Sequence, residues 1–336
     1  MNSAAGRTQS LIDELVHATG AIDAPEAVRL KARELVSLHR STFGDPTMPM
    51  DVDVLASLRG IGRSDELPVQ SPDAELVPDG VGGVTMRVNP DRPDTRRRFS
   101  IAHEISHTFF PDYATKAWCR TDSRYRDRNN PDDYLEMLCD IAAAELLMPL
   151  PWFSNDAAKV ISAGGLAGLA TAYRASREAA IRRYAELSPD SVAAVFFIWK
   201  LKPVQKGTVG CEDQTNLFGI DPADELREAR RLRIEYAIPS PAFLTAGHFL
   251  PLDKSVEDDG PIYEAASTGR PCDGESFLDL SQASGTYRIW AIPLWTPDDE
   301  LGSRGENSVV ALLRPVKVKK PKTKHSPNAQ RMFDES

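Results

Sequence analysis

At 336 residues the chain exceeds one ordinary hydrophobic core of roughly 100–200 residues, so about two domains are expected. Its 41% hydrophobic and 26% charged residues are globular proportions that exclude disordered and fibrous classes, and no apolar run reaches the roughly 20 residues of a membrane span. A charge of −9, from 40 Lys and Arg against 49 Asp and Glu, excludes a protein whose main business is neutralising a nucleic-acid backbone.

Residues 1–20 lack the cationic-then-apolar order of a secretory signal, and Cys119, Cys139, Cys211 and Cys272 form no CxxC. A cytoplasmic chain with reduced thiols is expected. In residues 8–43, Leu11, Leu15, Ile22, Val28, Leu30, Leu35 and Leu38 recur at three- and four-residue steps broken by Gly20 and Pro25, which predicts two amphipathic helices. A short helix is expected over residues 52–58. Residues 70–83, rich in Pro, Asp and Gly, read as loop. Val84, Met86 and Val88 then alternate with Thr85 and Arg87, the pattern of a half-buried strand, stopped by Pro90.

Asp94 can cap a helix running through residues 96–110, which Pro111 closes. A long polar loop over residues 114–130 leads to Pro131-Asp132-Asp133, the opening of a helix over residues 134–148 that ends at Pro149-Leu150-Pro151. Two or three more helices fit residues 157–185. From there the pattern becomes strand-like, over residues 192–201, 232–237, 287–295 and 308–316, which predicts an antiparallel sheet. Arg314, Lys317, Lys319, Lys320, Lys322 and Lys324 have no acid among them and read as a solvated tail.

The chemistry concentrates in Phe99-Ser-Ile-Ala-His103-Glu104-Ile-Ser-His107. At about 100° per residue, His103 and His107 stand ~40° apart around a helix and one turn apart along it, so both imidazoles can reach one metal ion. Glu104 projects ~100° from His103 and can address a metal-activated water as general base. Ile101, Ala102, Ile105, Phe109 and Phe110 make the helix largely apolar, and two His and a Glu buried among them need a partner such as a metal. Zinc suits this donor set, with manganese as the alternative.

A third ligand is sought on the next helix, from Glu136 or Glu145. Nine residues apart, they face nearly opposite ways. Asp140 follows Glu136 by four residues and can accept the free N–H of a ligating histidine, so Glu136 is expected to bind the metal with Asp140 behind it. Glu145 reads as the polar edge of the helix, and Cys139 as a buried inert thiol.

The stretches Arg98–His107, Glu136-Met-Leu-Cys-Asp140 and Ala143-Ala-Glu-Leu-Leu-Met-Pro149 together resemble the ImmA/IrrE family of bacterial metallopeptidases. The resemblance spans residues 49–201, beginning at Pro49-Met-Asp-Val-Asp-Val-Leu-Ala56. It departs from many members in having Cys139-Asp140 where they have Ala-Asn. It implies a gluzincin-like zinc endopeptidase (HExxH plus Glu) that cleaves a helix-turn-helix, XRE-like repressor and so switches on stress or DNA-damage genes. Strand 84–88 is then an edge to which an extended substrate can add. Tyr113, Tyr125, Tyr134 and His248 are open candidates for the oxyanion donor.

The expected fold class is α+β. A zincin-like, mainly helical metallopeptidase domain with a small antiparallel sheet and N-terminal helices takes residues 1–152, and a helical helix-turn-helix-like segment takes residues 153–190. A β-rich domain follows over residues 191–315, GAF-like by analogy with the family's radiation-response member, then a basic disordered tail over residues 316–336. In residues 165–185, Arg177, Arg182 and Arg183 could meet phosphate, although packing against the catalytic domain is the preferred role. The rival function is therefore a non-proteolytic DNA-binding or repressor-sequestering regulator with a structural zinc. Direct DNA binding and membrane association are not expected.

Overall fold

The computed structural model describes residues 4–64, 67–68, 71–80, 82–115, 118–119, 127–202, 230–294 and 307–316. Tyr125, Cys211, Trp295 and nearly all of the basic tail lie outside them.

Two long helices open the chain, α1 (Ala4–Thr19) and α2 (Ala24–Phe43). Asp23 caps α2 by accepting from the Glu26 amide at 2.8 Å, with Pro25 in the first turn, where its missing N–H costs nothing. The inner face of α2 (Ala27, Val28, Ala32, Leu35, Val36) is buried in the first core. Helix α3 (Val52–Leu58), capped by Asp51, follows as expected.

The first sheet holds β1 (Gly62–Ser64), β2 (Ala74–Pro78), β3 (Val84–Val88) and β4 (Trp118–Cys119), in the order β1-β3-β2-β4. Alternation in β3 is as expected, with Val84, Met86 and Val88 buried and Arg87 exposed. Three expectations fail here. Residues 70–83 are not all loop, because Ala74 and Leu76 bury one face of β2 and its end turns on Asp79, whose carboxylate accepts the Gly83 amide at 2.8 Å. Nor is the sheet wholly antiparallel, since β1 runs parallel to β3. Finally, β3 is interior, hydrogen-bonded on both sides, and the open edges belong to β1 and β4.

Helix α4 (Asp94–His107) packs beneath this sheet, and α5 (Pro131–Leu147) lies beside α4 and against α1 and α2. Asn130 caps α5 through the Asp132 amide. Asp94 is not a cap. It is the first residue of α4 and its carboxylate instead takes the Arg174 guanidinium at 2.6 and 2.9 Å. Helix α4 stops at His107 rather than Phe110, and Arg59 holds the turn beyond it, donating to the Thr108 hydroxyl and carbonyl.

After α6 (Trp152–Ala157), the pair α7 (Ala163–Ala172) and α8 (Arg177–Leu187) begin at Ser162 and Ser176, each a serine cap. The second sheet contains β5 (Ala193–Lys200), β6 (Arg231–Pro239), β7 (Cys272–Leu278), β8 (Gly285–Pro293) and β9 (Val309–Pro315). Its order is β6-β5-β9-β8-β7, antiparallel throughout. Period-two alternation divides β5 between two layers. Ala193, Val195 and Phe197 face the side covered by α9 (Pro241–Thr245) and α10 (Gly260–Thr268), while Ala194 and Phe196 face α7 and α8. Sequence patterning overlooked β7, whose outward positions Asp273 and Glu275 hide its alternation, and the two short helices.

The α7–α8 pair joins the two cores. Leu169, Ala170, Tyr173 and Ala180 belong to the first, and Ala163, Leu166, Ile181 and Ala185 to the second. Trp290 closes the second contact as a core residue, its indole N–H donating to the Ile161 carbonyl at 3.1 Å.

Candidate metal centre

Two parallel sets of side chains meet between α4 and α5. On α4, His103, Glu104 and His107 are fully buried. On α5, Glu136, Cys139 and Asp140 stand at i, i+3 and i+4, within an arc of about 100°, and present one face to the two imidazoles. Glu136 Oε2 lies 3.0 Å from His103 Nε2, and its Oε1 lies 3.5 Å from His107 Nε2. The other nitrogen of His103, Nδ1, meets Asp140 Oδ1 at 2.8 Å. Nδ1 of His107 meets Cys139 Sγ at 3.5 Å.

The donor set fits a divalent ion. Ligand atoms at about 2.0–2.1 Å from a tetrahedral ion stand about 3.3 Å from one another. The two nitrogen-to-carboxylate separations, 3.0 and 3.5 Å, bracket that edge. Burial differs across the site. The histidines are enclosed, whereas the side chains of Glu136 and Asp140 are 16% and 36% exposed, so access runs past the carboxylates of α5. Among the described residues, ligand atoms of His103, His107 and Cys139 also lie within 4.8 Å of one another. That grouping competes with the carboxylate set, because sulfur faces Nδ1 of His107 and Glu136 faces Nε2.

Burial disfavours a charge on His103, but hydrogen bonds to Asp140 and Glu136, together with their negative charges, outweigh it and push its pKa up to about 9. Without a metal, His103 is therefore held in its protonated form at neutral pH, and a metal bound at this nitrogen would have to displace that proton. Apparent metal affinity should rise with pH by roughly tenfold per unit from neutrality and level off above about 9. Competition titrations with a chromogenic chelator across that range check this, and a flat profile contradicts it.

The structure brings together His103, His107, Glu136 and Asp140 as the sequence predicts, with Glu104 buried one residue from His103. It corrects Glu145, which is not a polar edge. Glu145 is fully buried, paired with Arg183 of α8, and accepts from Arg33 of α2 at 3.1 Å. Cys139, read as inert, touches His107. Its position three residues after Glu136 was the only signal for that.

Of the oxyanion candidates, Tyr134 is half-buried near Asp23 and Arg128, with its pKa raised by desolvation and then by Asp23. His248 packs on Phe243 in the second core, ring centroids 5.0 Å apart. Tyr113 sits in a 3-10 turn (Tyr113–Thr115) just beyond α4, against the first core. The arginines considered for phosphate are engaged by the fold. Arg177 donates to the Pro293 carbonyl at 2.6 Å, Arg182 pairs with Glu186 at 3.3 Å, and Arg183 is buried on Glu145. Packing is what occupies this segment.

Residues 67–184, from just before β2 through most of α8, match the Peptidase_M78 family, described as the IrrE N-terminal-like domain. Over that stretch the chain is similar to an IrrE N-terminal-like domain. The matched stretch contains α4, α5 and every residue of the centre. No curated protein matches the chain in sequence. Among solved structures, a Mycobacterium tuberculosis transcriptional regulator is similar over 92% of this chain and 80% of its own, at a TM-score of 0.51 and 14% identity. At that identity the likeness is one of fold, and it extends beyond the IrrE-like domain into the second sheet. No helix among the described residues is long and apolar enough to cross a membrane.

Proposed function

We propose that the protein is a zinc-dependent endopeptidase that cleaves a specific helix-turn-helix repressor and thereby derepresses stress or DNA-damage-response genes. One observation carries the reading: imidazoles one turn apart on α4 turn their Nε2 atoms toward a single carboxylate from α5. The IrrE-like domain around that centre supports it.

A divalent metal held by His103, His107 and Glu136 would supply Lewis acidity, lowering the pKa of a water and polarising a scissile carbonyl. Glu104 would take that water's proton and return it to the departing amine. Asp140 would fix the His103 tautomer, since a carboxylate on Nδ1 leaves the Nε2 lone pair for the metal. An extended substrate would add to an edge of the first sheet, β1 or β4, rather than to β3.

The second sheet supports a GAF-like reading of residues 191–315. Counted within that domain, its strands lie in the order second, first, fifth, fourth, third, antiparallel throughout. Helices α7 and α8 would link this sensor to the peptidase core.

The test is incubation with the helix-turn-helix protein encoded beside this one, followed by mass spectrometry. One defined cut is expected. Chelation should abolish it, and zinc or manganese added back should restore it, the two metals being compared at equal occupancy. An intact repressor in the metal-loaded reaction would contradict the proposal.

A further inference from the structure

We propose that Cys139 is the positioning partner of His107, the thiol counterpart of Asp140 on His103. The inference rests on the metal-centre reading above and concerns a residue that reading does not use.

Each imidazole of the pair has its two nitrogens facing different partners, and among the described residues α5 supplies those partners. Nε2 of both rings faces Glu136, at 3.0 and 3.5 Å. The Nδ1 atoms diverge, to Asp140 Oδ1 at 2.8 Å for His103 and to Cys139 Sγ at 3.5 Å for His107. Once Nε2 offers its lone pair to a metal, Nδ1 must carry the hydrogen, and it donates that hydrogen to sulfur. A distance of 3.5 Å is ordinary for sulfur, a larger and weaker acceptor than oxygen.

Both groups are fully buried, so water does not compete for this hydrogen bond. Cys139 and Asp140 are adjacent in sequence yet reach different histidines, because one residue turns the helix by about 100°, and the two rings are 5.0 Å apart and steeply inclined. The backing is unequal. An anionic partner makes His103 the more basic ligand, whereas His107 is oriented by sulfur rather than by a carboxylate. The same geometry argues against sulfur as a ligand in this arrangement, since a metal on Nε2 lies across the imidazole from Sγ.

The test uses the full chain with Cys139→Ala and Cys139→Ser, loaded with zinc and separately with cobalt. Zinc affinity should fall about tenfold in Cys139→Ala, the lower end for loss of an outer hydrogen-bond partner, and recover in part in Cys139→Ser, whose hydroxyl still accepts. Apo-protein thermal melts identify a variant that loses affinity through misfolding. The His107 Nδ1–H resonance should move in both variants while that of His103 stays in place. The cobalt protein should lack a sulfur-to-cobalt charge-transfer band. Such a band, present in the parent and lost in Cys139→Ser, would make Cys139 a ligand and overturn the proposal. Equal zinc affinities with an unmoved His107 resonance would overturn it too, leaving the metal centre standing. A parent chain that takes up neither metal would remove the centre itself and the proposal with it.

Discussion

Replacing Glu104 with Gln should leave the fold and the metal in place and slow peptide hydrolysis by about 10²–10⁴-fold, the usual contribution of a positioned general base. Gln keeps the size and hydrogen-bonding reach of Glu but cannot hold a transferred proton. Glu104 is fully buried on α4 beside His103, and its place around the helix, ~100° from the histidine, keeps it off the ligand position occupied by that imidazole. Metal content by elemental analysis and an unchanged melting temperature establish that only the proton-transfer group is gone. The rate of repressor cleavage then decides. Parent-like cleavage by metal-loaded Glu104→Gln would end the general-base assignment.

The Arg183→Met variant should lose about 3–5 kcal/mol of stability, the characteristic cost of stranding one member of a buried ion pair. Glu145 and Arg183 are 0% and 2% exposed, and the remaining cation, Arg33, has a side chain 36% exposed and shares itself with Glu26 at 3.2 Å. Removing Arg183 leaves the carboxylate in the core facing a partly hydrated partner. Substituting both members with apolar residues of similar volume should recover most of the loss, since the pair's own desolvation is then avoided. Denaturant titrations of both single variants and the double variant read this directly. Additive effects would show that the two groups do not depend on each other. The network matters beyond stability because α5 carries Glu145 at one end and Glu136 at the other, while α8 reaches into the second core through Ile181 and Ala185.

The elements legible before any coordinates were those whose evidence is local. The four-residue histidine step, the Pro131 entry into α5, and the apolar alternation of β3 each depend on neighbours within a turn or two. All three lie where expected. β2 was missed because Pro72, Asp73, Pro78 and Asp79 crowd a five-residue strand, so its turn signals outweigh the two residues it buries. Glu145 was misjudged for a different reason. Its cations come from α2 and α8, 112 and 38 residues away, and no window along α5 contains them.

By itself, the amino-acid order determined that two imidazoles share a helical face, that a carboxylate and its companion share another, and that a further glutamate, Glu104, lies beside them. Helical periodicity makes such placements a matter of counting. Tertiary packing alone decided which faces meet: that Glu136 spans both histidines, that the Cys139 sulfur lies against His107 Nδ1, that β3 is interior, and that α7 and α8 serve two cores at once. Those outcomes depend on how elements far apart in the chain exclude water from one another, and spacing within one element carries no information about its distant neighbour.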